Sequence, residues 1–166
     1  MAAIEAHILL VGFMGSGKSS VAGGLATLLG CTCWELDERV VQRCGLPIPC
    51  IFQQLGETAF RRAEGWELSR LLLDPAAVIA LGGGAFHSLN RRLIPPRSIT
   101  VWLDSEFQLN WERCRNDPNR PLASDRETFH HLFERRRIDY QNAQHRIRVS
   151  HQTPREIVRA IQQLLV

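Results

Sequence analysis

A phosphate-binding pattern stands near the beginning of the chain. Residues 12–19 read GFMGSGKS and match G-x-x-x-x-G-K-[ST] at every defined position, after an apolar run and before a helical pattern. Glycines in such a loop let backbone N–H groups converge on phosphates, and the helix N-terminus adds its positive dipole end. Lys18 would then bridge the β- and γ-phosphates, and the Ser19 hydroxyl would hold Mg²⁺. The sequence therefore predicts a nucleoside triphosphate site.

Lys18 is the only lysine of the chain, because the 20 basic side chains comprise 19 arginines and one lysine. A motif that requires a second lysine is therefore absent. This excludes the N-K-x-D signature of guanine-binding switches and lysine-rich patches for nucleic acid or membranes. A chain of 166 residues with a net charge of +3 also has little room for the extra domains of a motor. A kinase for a small molecule is the leading class, and no nucleic-acid or membrane partner is expected.

Two carboxylates that suit an acceptor hydroxyl follow the second apolar run of the chain. Glu35 and Asp37 stand two residues apart at the end of that run. One of them would serve the metal, and the other would accept a hydrogen bond from an attacking hydroxyl. The alternative is a solvated acidic pair in which Asp37 only caps the helix that follows.

Arginines in three places suit the recognition of a carboxylate or a phosphate, since the guanidinium group binds both bidentately. They lie at Arg61 in the segment FRRAE, at Arg120 in a polar loop, and at residues 135–137. Each of them, taken alone, is also typical of a solvated surface. Gly82, Gly83 and Gly84 follow another apolar run. Three glycines in a row weaken packing, so they indicate a place where the backbone approaches another group closely.

The elements that must position these residues alternate along the chain. Apolar runs predict strands at residues 7–11, 31–36, 76–81, 98–103 and 147–150. Helical patterns lie between and after them, at residues 21–29, 38–44, 47–55, 57–73, 105–113 with Ser105 as its cap, about 125–144, and from 153 onward. Residues 116–125 are polar with two prolines and predict a mobile loop. This order is typical of an α/β domain with a mainly parallel sheet, in which ligands bind at the carboxyl ends of the strands.

The cysteines and the apolar segments indicate the cellular compartment of the protein. The five cysteines form no CxxC pair and are odd in number, which is typical of reduced thiols. The N-terminal segment lacks a basic region before its apolar run, and the run LLLDPAAVIALGGG is interrupted by Asp74 and Pro75. These features predict a cytoplasmic protein without an export or anchoring signal.

Taken together, the motifs resemble those of shikimate kinases. GFMGSGKSS, the acidic pair before VVQRCG, IPCIFQQLGETAFRRAE, ALGGGA, NRPL and RRIDY occur in the order and spacing of that family over nearly the whole chain. The resemblance implies a P-loop NTPase fold like that of nucleoside monophosphate kinases, with three α/β/α layers and a five-stranded parallel sheet. It also implies one monomeric domain, residues 1–166, with a substrate-binding region at about 34–64 and a lid at about 114–125. The implied reaction transfers the γ-phosphoryl group of ATP, with Mg²⁺, to the 3-hydroxyl of shikimate in aromatic amino-acid biosynthesis.

The resemblance also implies roles for individual residues. Asp37 would hold shikimate hydroxyls and help deprotonate the attacking one, and Arg61 and Arg136 would clamp the carboxylate. Arg136 is chosen among its arginine neighbours because it stands four residues before Tyr140. The N–H groups of the three glycines would contact the acceptor. Catalysis would fall to Lys18, Asp37 and the lid residue Arg120. The nucleotide would contact Gly15, Ser16, Gly17, Lys18, Ser19, Ser20 and Arg120, with its adenine between Arg113 and Pro154, and the metal would meet Ser19 and Glu35.

Two positions depart from the family pattern and keep alternatives open. Glu35 stands where the family has aspartate, so we expect Mg²⁺ to be held mainly by Ser19 and the phosphates. Residues 136–140 lack the proline of the family's R-x-P-x-Y. The alternatives are a P-loop kinase for another small hydroxylated acceptor, such as gluconate or a nucleoside monophosphate, and a non-catalytic, shikimate-kinase-like nucleotide-binding protein.

Overall fold

Five strands form a single parallel sheet in the computed structural model, which describes residues 4–117, 123 and 125–165. The strands are Ile8–Val11 (β1), Cys33–Glu35 (β2), Val78–Ala80 (β3), Ile99–Ser105 (β4) and His145–Val149 (β5). They lie in the order β2-β3-β1-β4-β5, and every neighbouring pair is parallel. The predicted five-stranded parallel α/β architecture is therefore confirmed.

Helices connect the strands. They are Lys18–Leu29 (α1), Leu36–Cys44 (α2), Ile48–Leu71 (α3), Ser88–Arg91 (α4), Phe107–Cys114 (α5), Arg126–Tyr140 (α6) and Pro154–Leu164 (α7). Thr153 closes a full capping box with Glu156 at the start of α7. In the part of the chain that is described, no helix is long and apolar enough to cross a membrane.

Two apolar cores lie on opposite faces of the sheet. Because side chains alternate along a strand, Leu9 and Val11 of β1 pack on one face with residues of α3 and α6. Ile8 and Leu10 pack on the other face with α1 and α7. Burial on both faces explains why the central strands are continuously apolar in the sequence.

The register of the sheet brings two polar loops to one edge. Leu10 of β1 is paired with Ala80 of β3, so these neighbouring strands end at nearly the same level. Residues 12–17 leave the end of β1, and residues 82–84 leave the end of β3. The two loops are therefore neighbours at the carboxyl edge of the sheet, where ligands of such folds bind.

Two predicted helix ends are wrong. Ser105 does not cap α5: it is the last residue of β4, its Oγ donates to Asn110 Oδ1 at 2.8 Å, and Glu106 is the N-cap. The predicted helix to about residue 144 ends at Tyr140. The reason is the side chain of Gln144, which accepts at 2.7 Å from the backbone N–H of Thr100 and so starts the pairing of β5 with β4. The predicted mobile loop at 116–125 and the predicted lid at about 114–125 lie largely outside the described residues.

A single glycine interrupts α3, where the sequence predicts two helices at 47–55 and 57–73. Gly56 has φ 80° and ψ 168°, which is outside the helical region. This combination is almost restricted to glycine, because a Cβ there clashes with the backbone. Gly56 therefore ends the first helical part and sets the direction of the part that carries Arg61.

Replacing Gly56 by alanine should lower the free energy of unfolding by roughly 1–3 kcal/mol. The added Cβ would enter open space, so the loss comes from backbone strain alone. Gly23→Ala is the matched control: Gly23 lies inside α1, its Cβ would also meet nothing within 4 Å, and the change should raise stability by about 0.5–1 kcal/mol. Urea unfolding measures both. A Gly56→Ala protein as stable as the parent would contradict this assignment.

Candidate active site

The phosphate-binding pattern forms the turn between β1 and α1. Gly15 and Gly17 have left-handed φ angles of 81° and 92° in this turn. Lys18 is the first residue of α1, and its Nζ donates to the carbonyl oxygens of Gly12 at 2.7 Å and Phe13 at 3.0 Å. The loop therefore holds the only ammonium side chain of the protein at the N-terminus of a helix, where anions bind.

Hydroxyl groups flank this lysine. Ser16 is buried, and its Oγ lacks a hydrogen-bond partner within the described residues. Ser19 and Ser20 are exposed in the first turn of α1. A loop with an unsatisfied buried hydroxyl and exposed hydroxyls next to an ammonium group is suited to an oxygen-rich anion.

Glu35 lies beside the same helix start. The Ser19 hydroxyl lies close enough to its carboxylate to act on the pKa of Glu35. Burial raises the pKa of Glu35, while the Ser19 hydroxyl and the charge of Lys18 oppose that rise. A cation next to Glu35 and Ser19 would favour the ionised carboxylate. Among the described residues, no group of three or more His, Cys, Asp or Glu side chains is placed to hold a metal, so a cation here needs further oxygens from a ligand.

Three charged side chains approach the glycine segment, residues 82–84, closely. Asp37, in the first turn of α2, lies so close to Gly82 that a Cβ on this glycine would be 2.3 Å from Asp37 Oδ1. A Cβ on Gly83 would lie 3.0 Å from Arg136 Nη1. These separations are shorter than ordinary contacts of a Cβ, so the absence of side chains in this segment is what lets the charged groups approach.

Arg61 of α3 and Arg136 of α6 meet at the last of these glycines. A Cβ on Gly84 would lie 2.8 Å from Arg61 Nη2 and 3.1 Å from Arg136 Nη2. Burial lowers the pKa of Arg136, and the nearby positive charge of Arg61 adds to this effect. Two guanidinium groups that approach the same backbone atoms form a site for one anion.

The other two arginines of the run at 135–137 are placed differently. Arg137 Nη1 donates to Asp104 Oδ1 at 2.6 Å, and Arg135 is exposed. Tyr140 is buried one turn after Arg136, and its hydroxyl donates to the carbonyl oxygen of Gly83. Arg136 and Tyr140 therefore contact the same segment, which matches the spacing from which the sequence selected Arg136.

A buried glutamate in this site was not selected from the sequence. Glu64 is 1% exposed, and both its carboxylate oxygens accept from Arg61 Nη1 at 3.0 Å. Asn90 Nδ2 lies 3.4 Å from Glu64 Oε2, and His87 Nε2 lies 3.7 Å from the same oxygen. Burial raises the pKa of Glu64 to about 7, although the charge of Arg61 opposes the rise. The sequence does carry a signal for it, since positions three apart on a helix face each other.

Three further residues are predicted to contact the nucleotide, and they do not belong to the phosphate-binding turn. Arg113, on α5, is exposed and donates from Nη1 to the carbonyl oxygen of Gly15 at 2.8 Å, so it lies next to the phosphate-binding turn. Pro154 is the exposed first residue of α7. Arg120 lies outside the described residues.

These two groups of residues lie at one edge of the sheet. On one side an ammonium group, backbone N–H groups and hydroxyls surround a place for phosphates. On the other side two guanidinium groups and a carboxylate surround a place for an anion that also carries hydroxyls. This fold and site define a P-loop phosphotransferase with a small-molecule acceptor.

Several known proteins that resemble this chain over most of its length are shikimate kinases. The sequence model of the family described as shikimate kinase matches residues 14–166. The shikimate kinase of Persephonella marina is 37% identical over 157 residues, which cover 93% of this chain and 96% of that protein. The shikimate kinase of Aquifex aeolicus is 37% identical over 159 residues, or 93% of each chain. The solved structure of shikimate kinase from Acinetobacter baumannii in complex with shikimate has a TM-score of 0.91 and 34% identity, and covers 96% of this chain and 92% of that one.

The chain therefore belongs to the shikimate kinase family. It is an ATP-dependent kinase that transfers a phosphoryl group to an alcohol, and its fold is that of a P-loop NTPase. The sequence-based predictions of family, fold and enzyme class are confirmed.

Glu64 should make stability depend on pH in a defined window. Because its pKa rises from 4.5 to about 7 on folding, the folded state binds this proton more tightly than the unfolded state. The stabilisation is present below pH 4.5 and is lost as the pH rises through about 7. Relative to Glu64→Gln, the parent should therefore lose roughly 2–4 kcal/mol of unfolding free energy between pH 4.5 and pH 8.

Denaturant unfolding of both proteins across this range measures the difference. Glu57→Gln is the matched control, because Glu57 also contacts Arg61, at 3.5 Å, but is largely exposed. A parent and a Glu64→Gln variant whose stabilities run parallel from pH 4.5 to pH 8 would contradict the raised pKa.

Proposed function

We propose that this enzyme transfers the γ-phosphoryl group of ATP to the 3-hydroxyl of shikimate. The observation that carries the proposal is the convergence of Asp37, Arg61 and Arg136 on the glycine segment, next to the phosphate-binding turn. Shikimate has one carboxylate and three hydroxyls, and this site has two guanidinium groups and one carboxylate. The product would enter the route to aromatic amino acids.

On the acceptor side, Arg61 and Arg136 bind the carboxylate of shikimate, and the N–H groups of residues 82–84 contact the acceptor. The convergence of both guanidinium groups at Gly84 supports this role, because one small carboxylate can reach both. Asp37 accepts a hydrogen bond from the hydroxyl that attacks and helps to remove its proton. Its place at the start of α2, against Gly82, is compatible with a hydroxyl held between Asp37 and the phosphates.

On the nucleotide side, residues 12–20 surround the phosphates of ATP. Gly15, Ser16 and Gly17 supply backbone N–H groups, Ser20 adds a contact, and the Lys18 ammonium moves from the carbonyls of Gly12 and Phe13 to the phosphates. Its hydrogen bonds to these two carbonyls support this role, because they hold the ammonium group within the turn. This charge compensates the negative charge that builds up as the phosphoryl group moves.

Three further residues contact the adenine and the phosphates of ATP. Arg113 stacks on one side of the adenine and Pro154 on the other; the hydrogen bond of Arg113 to Gly15 supports the first placement. Arg120, in a lid at about 114–125, closes over the phosphates, so that water is excluded and transfer is favoured over hydrolysis.

A Mg²⁺ site fits the residues around the start of α1. Ser19 and Glu35 lie near each other and supply oxygen atoms, which Mg²⁺ prefers. Glu35, one methylene longer than aspartate, therefore still lies beside the Ser19 hydroxyl. When bound with ATP, Mg²⁺ neutralises charge on the phosphates.

The organisation of the protein is part of the proposal. Residues 1–166 form one domain, with residues 34–64 as the substrate-binding region, and the protein acts as a monomer. Cytoplasmic localisation is supported by the cysteines, because none of the five, at positions 31, 33, 44, 50 and 114, is in a disulfide.

A coupled assay of ADP release tests the function with purified protein. ADP formation should depend strictly on both ATP and shikimate, and gluconate or a nucleoside monophosphate should give no comparable rate. A higher kcat/KM for either of these acceptors would assign the site to another small-molecule kinase. Binding of ATP without turnover of any acceptor would indicate a non-catalytic protein.

Asp37→Asn should lower kcat roughly 10²–10⁴-fold, because the amide cannot take the proton of the attacking hydroxyl. The dissociation constant for ATP, measured by calorimetry, should stay close to that of the parent. Glu38→Gln is the matched control, since Glu38 is the exposed neighbour in the same turn and its loss removes the same charge. Equal kcat values for the parent and Asp37→Asn would refute the role of Asp37.

A further inference from the structure

The short helix α4 follows the glycine segment directly and lies between the two arginine-bearing helices. Its residues Asn90 and Arg91 reach towards α3 and α6 respectively. Asn90 Nδ2 donates to the carbonyl oxygen of Ala85 at 3.0 Å and lies 3.4 Å from Glu64 Oε2. On this side, α4 therefore contacts the carboxylate that binds Arg61.

Arg91 forms the connection on the other side. Its Nη1 donates to Asp139 Oδ1 at 2.7 Å and to the carbonyl oxygen of Phe86 at 3.0 Å. Phe86 lies two residues after the glycine segment, and Asp139 lies in the last turn of α6, three residues after Arg136. One guanidinium group thus joins the backbone beside the glycine segment to the helix turn that carries Arg136.

The last turn of α6 is thereby attached to this loop at two points. Tyr140 donates to the carbonyl oxygen of Gly83, and Asp139 accepts from Arg91. Arg137, in the same turn, also donates to Asp104 at 2.6 Å. Together with the hydrogen bond of Tyr140, the ion pair of Asp139 with Arg91 sets how this turn, and with it Arg136, lies against the glycine segment.

We propose that Arg91 is a positioning residue for acceptor binding, which acts through Asp139 to hold the Arg136 guanidinium opposite that of Arg61. This inference rests on the proposed binding of the shikimate carboxylate by Arg61 and Arg136. A bidentate anion site requires its two guanidinium groups at a fixed separation, and small displacements in such sites reduce binding strongly.

The effect of Arg91 should appear in binding and hardly in stability. The side chains of Arg91 and Asp139 are 24% and 40% exposed, and ion pairs so accessible to water contribute little to the stability of a fold. A purely structural role would predict loss of stability with all kinetic constants affected alike. A positioning role predicts a change confined to shikimate.

The test compares Arg91→Gln with Arg92→Gln. Arg92 is the next residue, has the same charge, is exposed, and makes no side-chain hydrogen bond or ion pair within the described part of the chain. Arg91→Gln should raise the KM and the calorimetric Kd for shikimate about tenfold, with kcat, the KM for ATP and Tm near the parent values. Arg92→Gln should leave all of them unchanged.

A double-mutant cycle with Asp139→Asn tests whether Arg91 acts on shikimate binding through Asp139. Asp139→Asn alone should raise the KM for shikimate by a similar factor, and the double variant should be no worse than either single variant. Additive effects, or an Arg91→Gln protein with the parent's shikimate affinity, would overturn the inference.

Arg61→Gln separates this outcome from a failure of the proposed function. If Arg61→Gln weakens shikimate binding and Arg91→Gln does not, the proposed binding of the shikimate carboxylate is supported. In that case only the positioning role of Arg91 is wrong. If neither the parent nor any variant binds shikimate, the proposed function fails as well.

Discussion

The structure of the site depends on a stretch of backbone without side chains. A Cβ at Gly82, Gly83 or Gly84 would lie 2.3–3.0 Å from a charged atom of Asp37, Arg136 or Arg61. These distances are too short for any other residue without a displacement of the charged groups. The close approach of the carboxylate and both guanidinium groups to residues 82–84 therefore depends on the absence of side chains there, and α2, α3 and α6 carry these groups to the segment.

The parallel sheet brings the phosphates and the acceptor to the same place. β1 and β3 are hydrogen-bonded neighbours whose ends are level, so the phosphate-binding turn and the glycine segment leave the sheet side by side. Parallel strands need crossover connections, which α1 supplies between β1 and β2, and α2 and α3 supply between β2 and β3. The sheet topology thus determines which loops form the site, and the loop residues determine its chemistry.

The charged side chains of the acceptor site bear on the binding of an anion. Arg61 and Arg136 carry like charges at the same glycine, and burial makes their proximity unfavourable without a counter-charge. Glu57 and Glu64 both lie close to Arg61, and burial opposes the ionisation of Glu64. In the proposed function, the carboxylate of the acceptor adds a negative charge that both guanidinium groups can reach.

Much of this could be read from the sequence. The local spacing of residues 12–19 predicts the phosphate-binding turn. The helices predicted to end at residues 29 and 44 do end there, and each is followed by a glycine with a left-handed φ angle. The family resemblance selected Arg136 by its distance from Tyr140, and both residues contact Gly83. The errors and omissions concern contacts between residues far apart in the chain. The end of α6 depends on Gln144 with Thr100, 44 residues away, and Arg91 pairs with Asp139, 48 residues away. Local patterns carry no information about such pairs.

A crystal structure of the protein with shikimate would show directly which residues bind the acceptor. We expect the shikimate carboxylate within hydrogen-bonding distance of both Arg61 and Arg136, and a ring hydroxyl donating to Asp37 next to Gly82. A carboxylate bound away from these two arginines, or a shikimate whose hydroxyls do not reach Asp37, would contradict it.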